Sequence, residues 1–419
     1  EGVYKHFLMD GQCVPIEDYL EVRPEMNSRI VALVKSGRLC IGPWYTLPDT
    51  HPIDGECLVR NLLYGRRIGE QYGGCTNIGF TSFGWGLPSQ FPQILAGFGI
   101  RFANTSKYVD PARAPHCEFL WASPDGTEIL ATRFGEHGRA GFFFCCHQDI
   151  VTGVPLHSTE WRYRPELGRT PYHRADLSSH EQEYYLLEPP SGMSAQGLNK
   201  AMLDTVWENT KDTLLKSHRL LMDGTDYLGA DPGLADIIKS ANAISPNRQL
   251  VQGSLAEYAA LLEKELDRSS LLRITGELRD GPARNTSGNA LSTRLYVKQL
   301  NKKAENLMLR CAEPILTALW MHGAPYPLRM MNAAWRYLLL AHPQDSINGV
   351  TQDITVEDTC HRLRQATEIA RTLADDAFRG FVRRIDLGQG GPREQFLVVW
   401  NSLPFARREV VQAMVDFPW

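Results

Sequence analysis

Between a short apolar run, Ile78–Thr81, and a helical pattern beginning at Gln90 lies a loop carrying Ser82, Phe83, Trp85, Ser89 and Gln90. Aromatic rings beside amide and hydroxyl groups suit a sugar, because the rings cover its C–H faces while the polar groups meet its hydroxyls. The loop holds no carboxylate, histidine or cysteine, so an acid, base or metal ligand must come from elsewhere. Two other stretches could supply one: Asp223-Gly224-Thr225-Asp226 after a strand-like run, and His342-Pro343-Gln344-Asp345 after a helical pattern. Both also read as ordinary turn chemistry, since carboxylates beside glycine or at a helix start cap local backbone. Trp44, in Gly42-Pro43-Trp44-Tyr45, is either a stacking surface or a core residue. His137, His147, His157, His173 and His180 show no ligand spacing and are assigned nothing.

The elements that must position these groups come from the hydrophobic pattern. A strand feeding a Gly-rich loop and then a helix, as at 78–100, is how α/β barrels present side chains at one end of the barrel. Over residues 1–150 strand-like runs (Phe7–Met9, Leu39–Gly42, Ile78–Thr81, Phe102–Thr105) alternate with helical patterns. The latter are Ile16 to Lys35, Glu56 to Tyr72 with Leu58, Leu62, Leu63 and Ile68 inward, and the helix from Gln90. Phe119–Trp121 and Ile129–Arg133, around Asp125-Gly126, read as a hairpin hung on that framework. Residues 151–195 are polar and aperiodic, a long excursion. Then follow a helix over Ala195 to His218, a strand over Leu220–Met222, a helix over Leu234 to Ala243, a strand over Gln249–Gln252 and a capped helix over Ser254 to Leu266. From about residue 290 the strands cease. Leu291, Leu295, Tyr296, Ala304, Leu307, Met308 and Cys311 mark one long helix, Leu328 to Leu340 a second, and Val356, Cys360, Leu363, Ala366, Ala370, Leu373 and Ala377 a third. This reads as an antiparallel bundle. Phe396–Trp400 and Glu409–Phe417 read as two strands opening an all-β region.

Composition narrows the partners. The 419 residues suffice for two or three domains, and 43% apolar with 22% charged residues is ordinary for a soluble globular chain. A net charge of −4 argues against nucleic acid and anionic membranes, and no apolar run approaches a spanning helix. Nine cysteines without metal spacing, two of them adjacent at Cys145-Cys146, fit free thiols in a reducing, cytoplasmic setting. The chain opens on Glu1 and enters strand-like sequence almost at once, so it reads as an internal fragment.

Several runs, in order, resemble glycoside hydrolase family 38, the α-mannosidases, and within it the bacterial mannosylglycerate-hydrolase branch. They are Phe7-Leu8-Met9-Asp10-Gly11-Gln12, Ile41 to Tyr45 with Asp49, Gly55-Glu56 with Leu58 to Leu62, Gln90 to Ile100, Ser292 to Asn301, Trp335 to Gly349 and Val398 to Arg408. The resemblance covers nearly the whole chain. It implies a seven-stranded β/α barrel over 1–270, lacking its N-terminal strand, a three-helix bundle over 271–390, and the first strands of a β-sandwich over 391–419. The implied activity is retaining hydrolysis of α-mannosides such as mannosylglycerate or mannose oligosaccharides. One carboxylate acts as nucleophile and another as acid/base, while a Zn²⁺ ion fixes sugar hydroxyls. An α-mannoside carbohydrate is the implied partner, and homo-oligomerisation stays open.

Carried over position by position, Asp345 matches the family residue that contacts mannose hydroxyls, and Lys107 a basic residue near the nucleophile. Asp226 matches a barrel carboxylate and is the acid/base candidate. Trp44 and Trp85 are candidate stacking surfaces. The nucleophile position falls at Phe83 when counted back from Gln90, or at Thr81 when aligned on Phe83-Gly84. The histidine expected to bind zinc is replaced by Gln344, and His342, two residues early, is either a displaced ligand or a helix-terminal histidine bonded to backbone. Two readings follow: an α-mannosidase-like enzyme with an altered site, or a catalytically silent relative that binds carbohydrate.

Overall fold

Several proline and glycine interruptions in the hydrophobic pattern, among them Pro24, Gly37 and Gly349, mark element boundaries in the computed structural model. It describes residues 4–81, 85–105, 109–135, 138–147, 162–163, 187–188, 198–224, 230, 233–280, 288–391 and 393–416. Two compact units divide the chain: Glu1–Leu295 with His342–Val356, and Tyr296–Ala341 with Glu357–Trp419.

In the first unit β1 (Phe7–Leu8) pairs in parallel with β2 (Leu39–Cys40). The expected helix between them is two helices, α1 (Val14–Val22) and α2 (Asn27–Lys35). Pro24 disfavours helical dihedrals in the residue before it, and Arg23 accordingly sits at φ −127°, ψ 62°. α3 (Gly55–Gln71) is capped by the Asp54 carboxylate and buries Leu58, Leu62 and Ile68. Leu63, expected inward, is instead 48% exposed. It stands five residues from Leu58, off the buried face.

The central sheet has five strands in the order β3 (Gly79–Phe80), β4 (Phe102–Asn104), β6 (Glu128–Thr132), β5 (Glu118–Ala122), β9 (Arg273–Thr275). A separate two-residue antiparallel pair, β7 (Arg162–Tyr163) with β8 (Leu187–Glu188), interrupts the chain between them. β3, β4 and β6 run parallel, and β5 is antiparallel to β6 and parallel to β9. The hairpin expected at 119–133 therefore forms, but within the sheet rather than hung on it. Its sequence shows why: both strands are mostly apolar and, Glu128 apart, buried along their whole length, as central strands are. Between the strands lie α4 (Phe91–Gly97), α5 (Lys200–Asn209), α6 (Leu234–Ile244) and α7 (Leu255–Glu265).

Several expectations are corrected. The helix expected to reach His218 ends at Asn209, because the next residues bond to the sheet region instead. Asp212 pairs with buried Arg133 at 2.7 Å, and Thr213 and Leu214 donate to Glu118 at 2.8 and 2.7 Å. Among the described residues Leu220–Met222 and Gln249–Gln252 find no strand partner, whereas 273–275, too short to show alternation, does pair. Among the described residues the ladders form the five-stranded sheet, the β1–β2 pair and the β7–β8 pair.

Gly65 shows how closely these layers meet. A Cβ there would overlap the backbone of Pro43, Trp44 and Tyr45. Gly65→Ala is expected to lower stability by about 1–3 kcal/mol or more, read as a shift in the urea midpoint, because backbone cannot step aside as a side chain can.

The second unit is helical. α8 (Leu295–Asn306) passes through a π-turn at Leu307–Ala312 into α9 (Glu313–Met321), followed by α10 (Leu328–Leu340). The short α11 (Gln344–Asn348) belongs to the first unit, and the 30-residue α12 (Asp353–Val382) ends the helical part. In α8 the buried face is Val297, Asn301, Ala304 and Glu305, while Leu295 and Tyr296 are more than half exposed, against the expected stripe. α12 buries Val356, Cys360, Leu363, Ala366, Ala370 and Ala377 as its spacing predicts. The two strands expected after residue 395 are not formed among residues 393–416, where Phe396, Leu397 and Val399 are exposed. A strand needs a ladder partner, and the described residues supply none there.

Candidate active site

A cavity of about 1960 Å³ opens in the first unit. Its wall includes Met9, Asp10 and Gln12 at the end of β1, Leu220 to Gly224, and Gln344 and Asp345 of α11. Asp10 and Gly11 both have positive φ, 44° and 72°, and a Cβ on Gly11 would overlap the Phe80 ring, so the chain turns hard against β3 here. That turn sets Asp10 at the cavity edge.

α11 is held to the wall by the 47–51 segment. Pro48 bridges Pro343, Gln344 N donates to Leu47 O at 3.0 Å, and Asp49 N donates to His342 O at 3.3 Å. The Asp49 carboxylate, fully buried, accepts from Asn348 Nδ2 on one oxygen and from His51 N at 3.2 Å on the other. Burial raises the Asp49 carboxyl above its usual range, and these two hydrogen bonds oppose the shift. Gly349, at φ 67°, closes α11 in the left-handed region. Gln344 and the exposed Asp345 are thereby left facing the cavity.

His147 and Asp223 meet at the wall, with Nδ1 2.9 and 3.0 Å from the two carboxylate oxygens. Sequence reasoning assigned His147 nothing, since no spacing links residues 76 positions apart. An imidazole bonded through Nδ1 holds the carboxylate in one orientation toward the cavity. Elsewhere on the wall the Arg219 guanidinium lies 3.6 Å and that of Arg248 4.8 Å from the Trp207 ring centre, and Arg248 also pairs with Asp204 at 2.7 Å.

Other expected site residues fall away from the cavity. Trp44 is 0% exposed, donates through Nε1 to Phe80 O at 2.8 Å and stacks on Phe91 with ring centres 5.7 Å apart. It is core, and its assignment as a sugar platform is corrected on that ground. Trp85 is half-buried and not on the wall. Thr81, the shifted nucleophile position, is buried and spends its hydroxyl on the Asn104 carbonyl. His342 is 0% exposed, off the wall, and held neutral by burial, its pKa pulled down to about 3. Its ring does not reach the cavity and lies instead with the buried Cys57 thiol, their ligand atoms within 4.8 Å of one another, so the ligand reading stands as an expectation away from the wall. Phe83, Lys107 and Asp226 lie outside the described residues.

The donor set does not fit zinc at this wall. Gln344 offers an amide oxygen, a weak ligand beside imidazole. Among the described residues no three carboxylate, imidazole or thiol groups of the wall converge within ligand reach. No helix of the described chain is long and apolar enough to cross a membrane.

An α/β unit framing a cavity lined by apolar side chains with a few carboxylates and amides is a common setting for a small-molecule site. The chain belongs to glycosyl hydrolases family 38: the family's N-terminal domain matches residues 6–277. A curated protein of Halalkalibacterium halodurans with the provisional name mannosylglycerate hydrolase is 28% identical, over 98% of this chain and 42% of its own length. The chain thus spans less than half of that relative. An α-mannosidase structure from Enterococcus faecalis V583 superposes with a TM-score of 0.72 at 24% identity, covering 92% of this chain and 39% of that one. A second family 38 structure from Enterococcus faecalis gives 0.62 at 24% identity, covering 91% and 36%. At that identity the two structures speak for the fold alone.

Proposed function

We propose that this chain forms the sugar-handling part of an α-mannoside-directed glycoside hydrolase, with mannosylglycerate or short mannose oligosaccharides as substrates. The observation that carries this is Asp345: the residue matching the family's mannose contact stands on the wall of the cavity of the first unit, on a helix clamped by buried hydrogen bonds. In the retaining scheme Asp345 orients mannose hydroxyls, while Lys107 supplies positive charge nearby. Asp226 is the acid/base candidate, three residues beyond the Asp223 that His147 holds at the wall. The zinc of the family scheme stays an expectation and no step is routed through it. The same reading takes residues 1–270 as a β/α barrel, 271–390 as a bundle and 391–419 as the start of a β-sandwich, and places the protein in the cytoplasm.

A second reading, carbohydrate binding without cleavage, is favoured by a specific observation. The aligned nucleophile and metal-ligand positions carry Phe83 or Thr81 and Gln344, none able to act as a carboxylate nucleophile or strong zinc ligand. The experiment is an assay with 4-nitrophenyl α-D-mannoside, with zinc quantified, beside titration with methyl α-D-mannoside. Turnover overturns the binding-only reading. Mannoside binding with neither turnover nor metal overturns the cleavage reading.

A further inference from the structure

We propose that Asp49 is a positioning residue for the sugar site, holding Asp345 in place through Asn348 without touching the sugar. This rests on the reading of Asp345 given above. α11 has only five residues, too few to hold itself in water, and its place must come from tertiary bonds. Those bonds converge on one side chain. Asp49 takes Asn348 Nδ2 on Oδ2 and His51 N on Oδ1, while its own N–H reaches His342 O one turn ahead of Asp345. Asn348 Nδ2 also donates to Gln344 O at 3.1 Å, so a single amide ties the last residue of the helix to both the first and the anchor. Asp49 and Asn348 are both 0% exposed, so no water can replace a lost bond.

A carboxylate is required for this because two donors approach one side chain from different directions. An asparagine at 49 has one oxygen and one NH₂ group, and could satisfy only one of them. Asp49 follows the family-like run Ile41 to Tyr45, and nothing in its local sequence marks more than a structural role. The fold turns that structural role into control of a site nearly 300 residues away.

The test uses the whole 419-residue chain and methyl α-D-mannoside as probe, with affinity by calorimetry and melting by circular dichroism. Asp49→Asn and Asn348→Ala are each expected to weaken binding about tenfold at a temperature well below melting, the effect of one lost charge-assisted bond. A merely structural role lowers the melting temperature and leaves the dissociation constant of the still-folded chain unchanged, and that result overturns the proposal. Should Asp49→Asn fail to fold, Asn348→Ala alone decides. The double variant Asp49→Asn/Asn348→Ala is expected to bind no more weakly than either single one, because the two act through one bond. Additive losses overturn that route. Asp345→Ala is the control: if it binds as the parent does, the functional reading fails, whereas a loss there with unchanged Asp49 and Asn348 variants sinks only the positioning role.

Discussion

Asp345→Ala is expected to weaken methyl α-D-mannoside binding by about 10- to 100-fold, with little change in melting temperature. A hydrogen bond from a sugar hydroxyl to a charged acceptor contributes roughly 1.5–3 kcal/mol, and a factor of ten corresponds to about 1.4 kcal/mol. Stability is spared because the side chain is exposed on the cavity wall, while α11 is held through Asp49, Asn348 and the Leu47 carbonyl. Asp345→Asn separates charge from shape. It keeps an acceptor of the same size, so it is expected to lie between the parent and the alanine variant. Unchanged affinity in Asp345→Ala, measured on a folded chain, removes the residue from the site.

Trp44→Ala is expected to do the opposite. It should cost about 3–5 kcal/mol of folding free energy, the range for truncating a fully buried large aromatic ring. The ring sits between Phe91 on one side and the β3 backbone on the other, and Phe91 in turn stacks on Trp121 with centres 5.9 Å apart. Removing Trp44 therefore opens a cavity at one end of a three-ring stack and leaves the Phe80 carbonyl without its indole donor. Trp44→Phe, which fills much of the space, should recover part of the loss but not the hydrogen bond. Sugar affinity of either variant, measured below its melting transition, should stay within a few-fold of the parent. A large affinity loss with a small stability loss would restore Trp44 to the site.

The contrast between these two residues shows what local sequence can say. Trp44 sits in a run that resembles the family, as Asp345 does, and the motif does not distinguish a core ring from a sugar contact. Periodicity placed α3, α4, α6, α7, α10 and α12 well because each presents a continuous buried face, and the capping pair Ser254 and Glu257 marked one start directly. It failed where a distant partner decides. α5 stops early because Asp212, Thr213 and Leu214 bind residues of the sheet roughly 80–100 positions back. β9 exists because it lies beside β5. Residues 220–222 and 249–252 are as apolar as strands but have no ladder to join among the described residues.

By itself the sequence determined the α/β character of the first 270 or so residues, the helical character of the next stretch and the family, since these follow from hydrophobic spacing and from runs of matching residues. Only the tertiary structure decided which candidates share a site. It set Asp345 and Gln344 on one cavity wall, joined His147 to Asp223 there, and withdrew Trp44, Thr81 and His342 into the interior. The reason is physical: spacing along a chain reports which face of its own element a residue occupies, whereas burial and hydrogen-bond partners are set by segments that folding brings together from far away. Asp49 and Asn348 meet across 299 positions, a contact that no local pattern encodes.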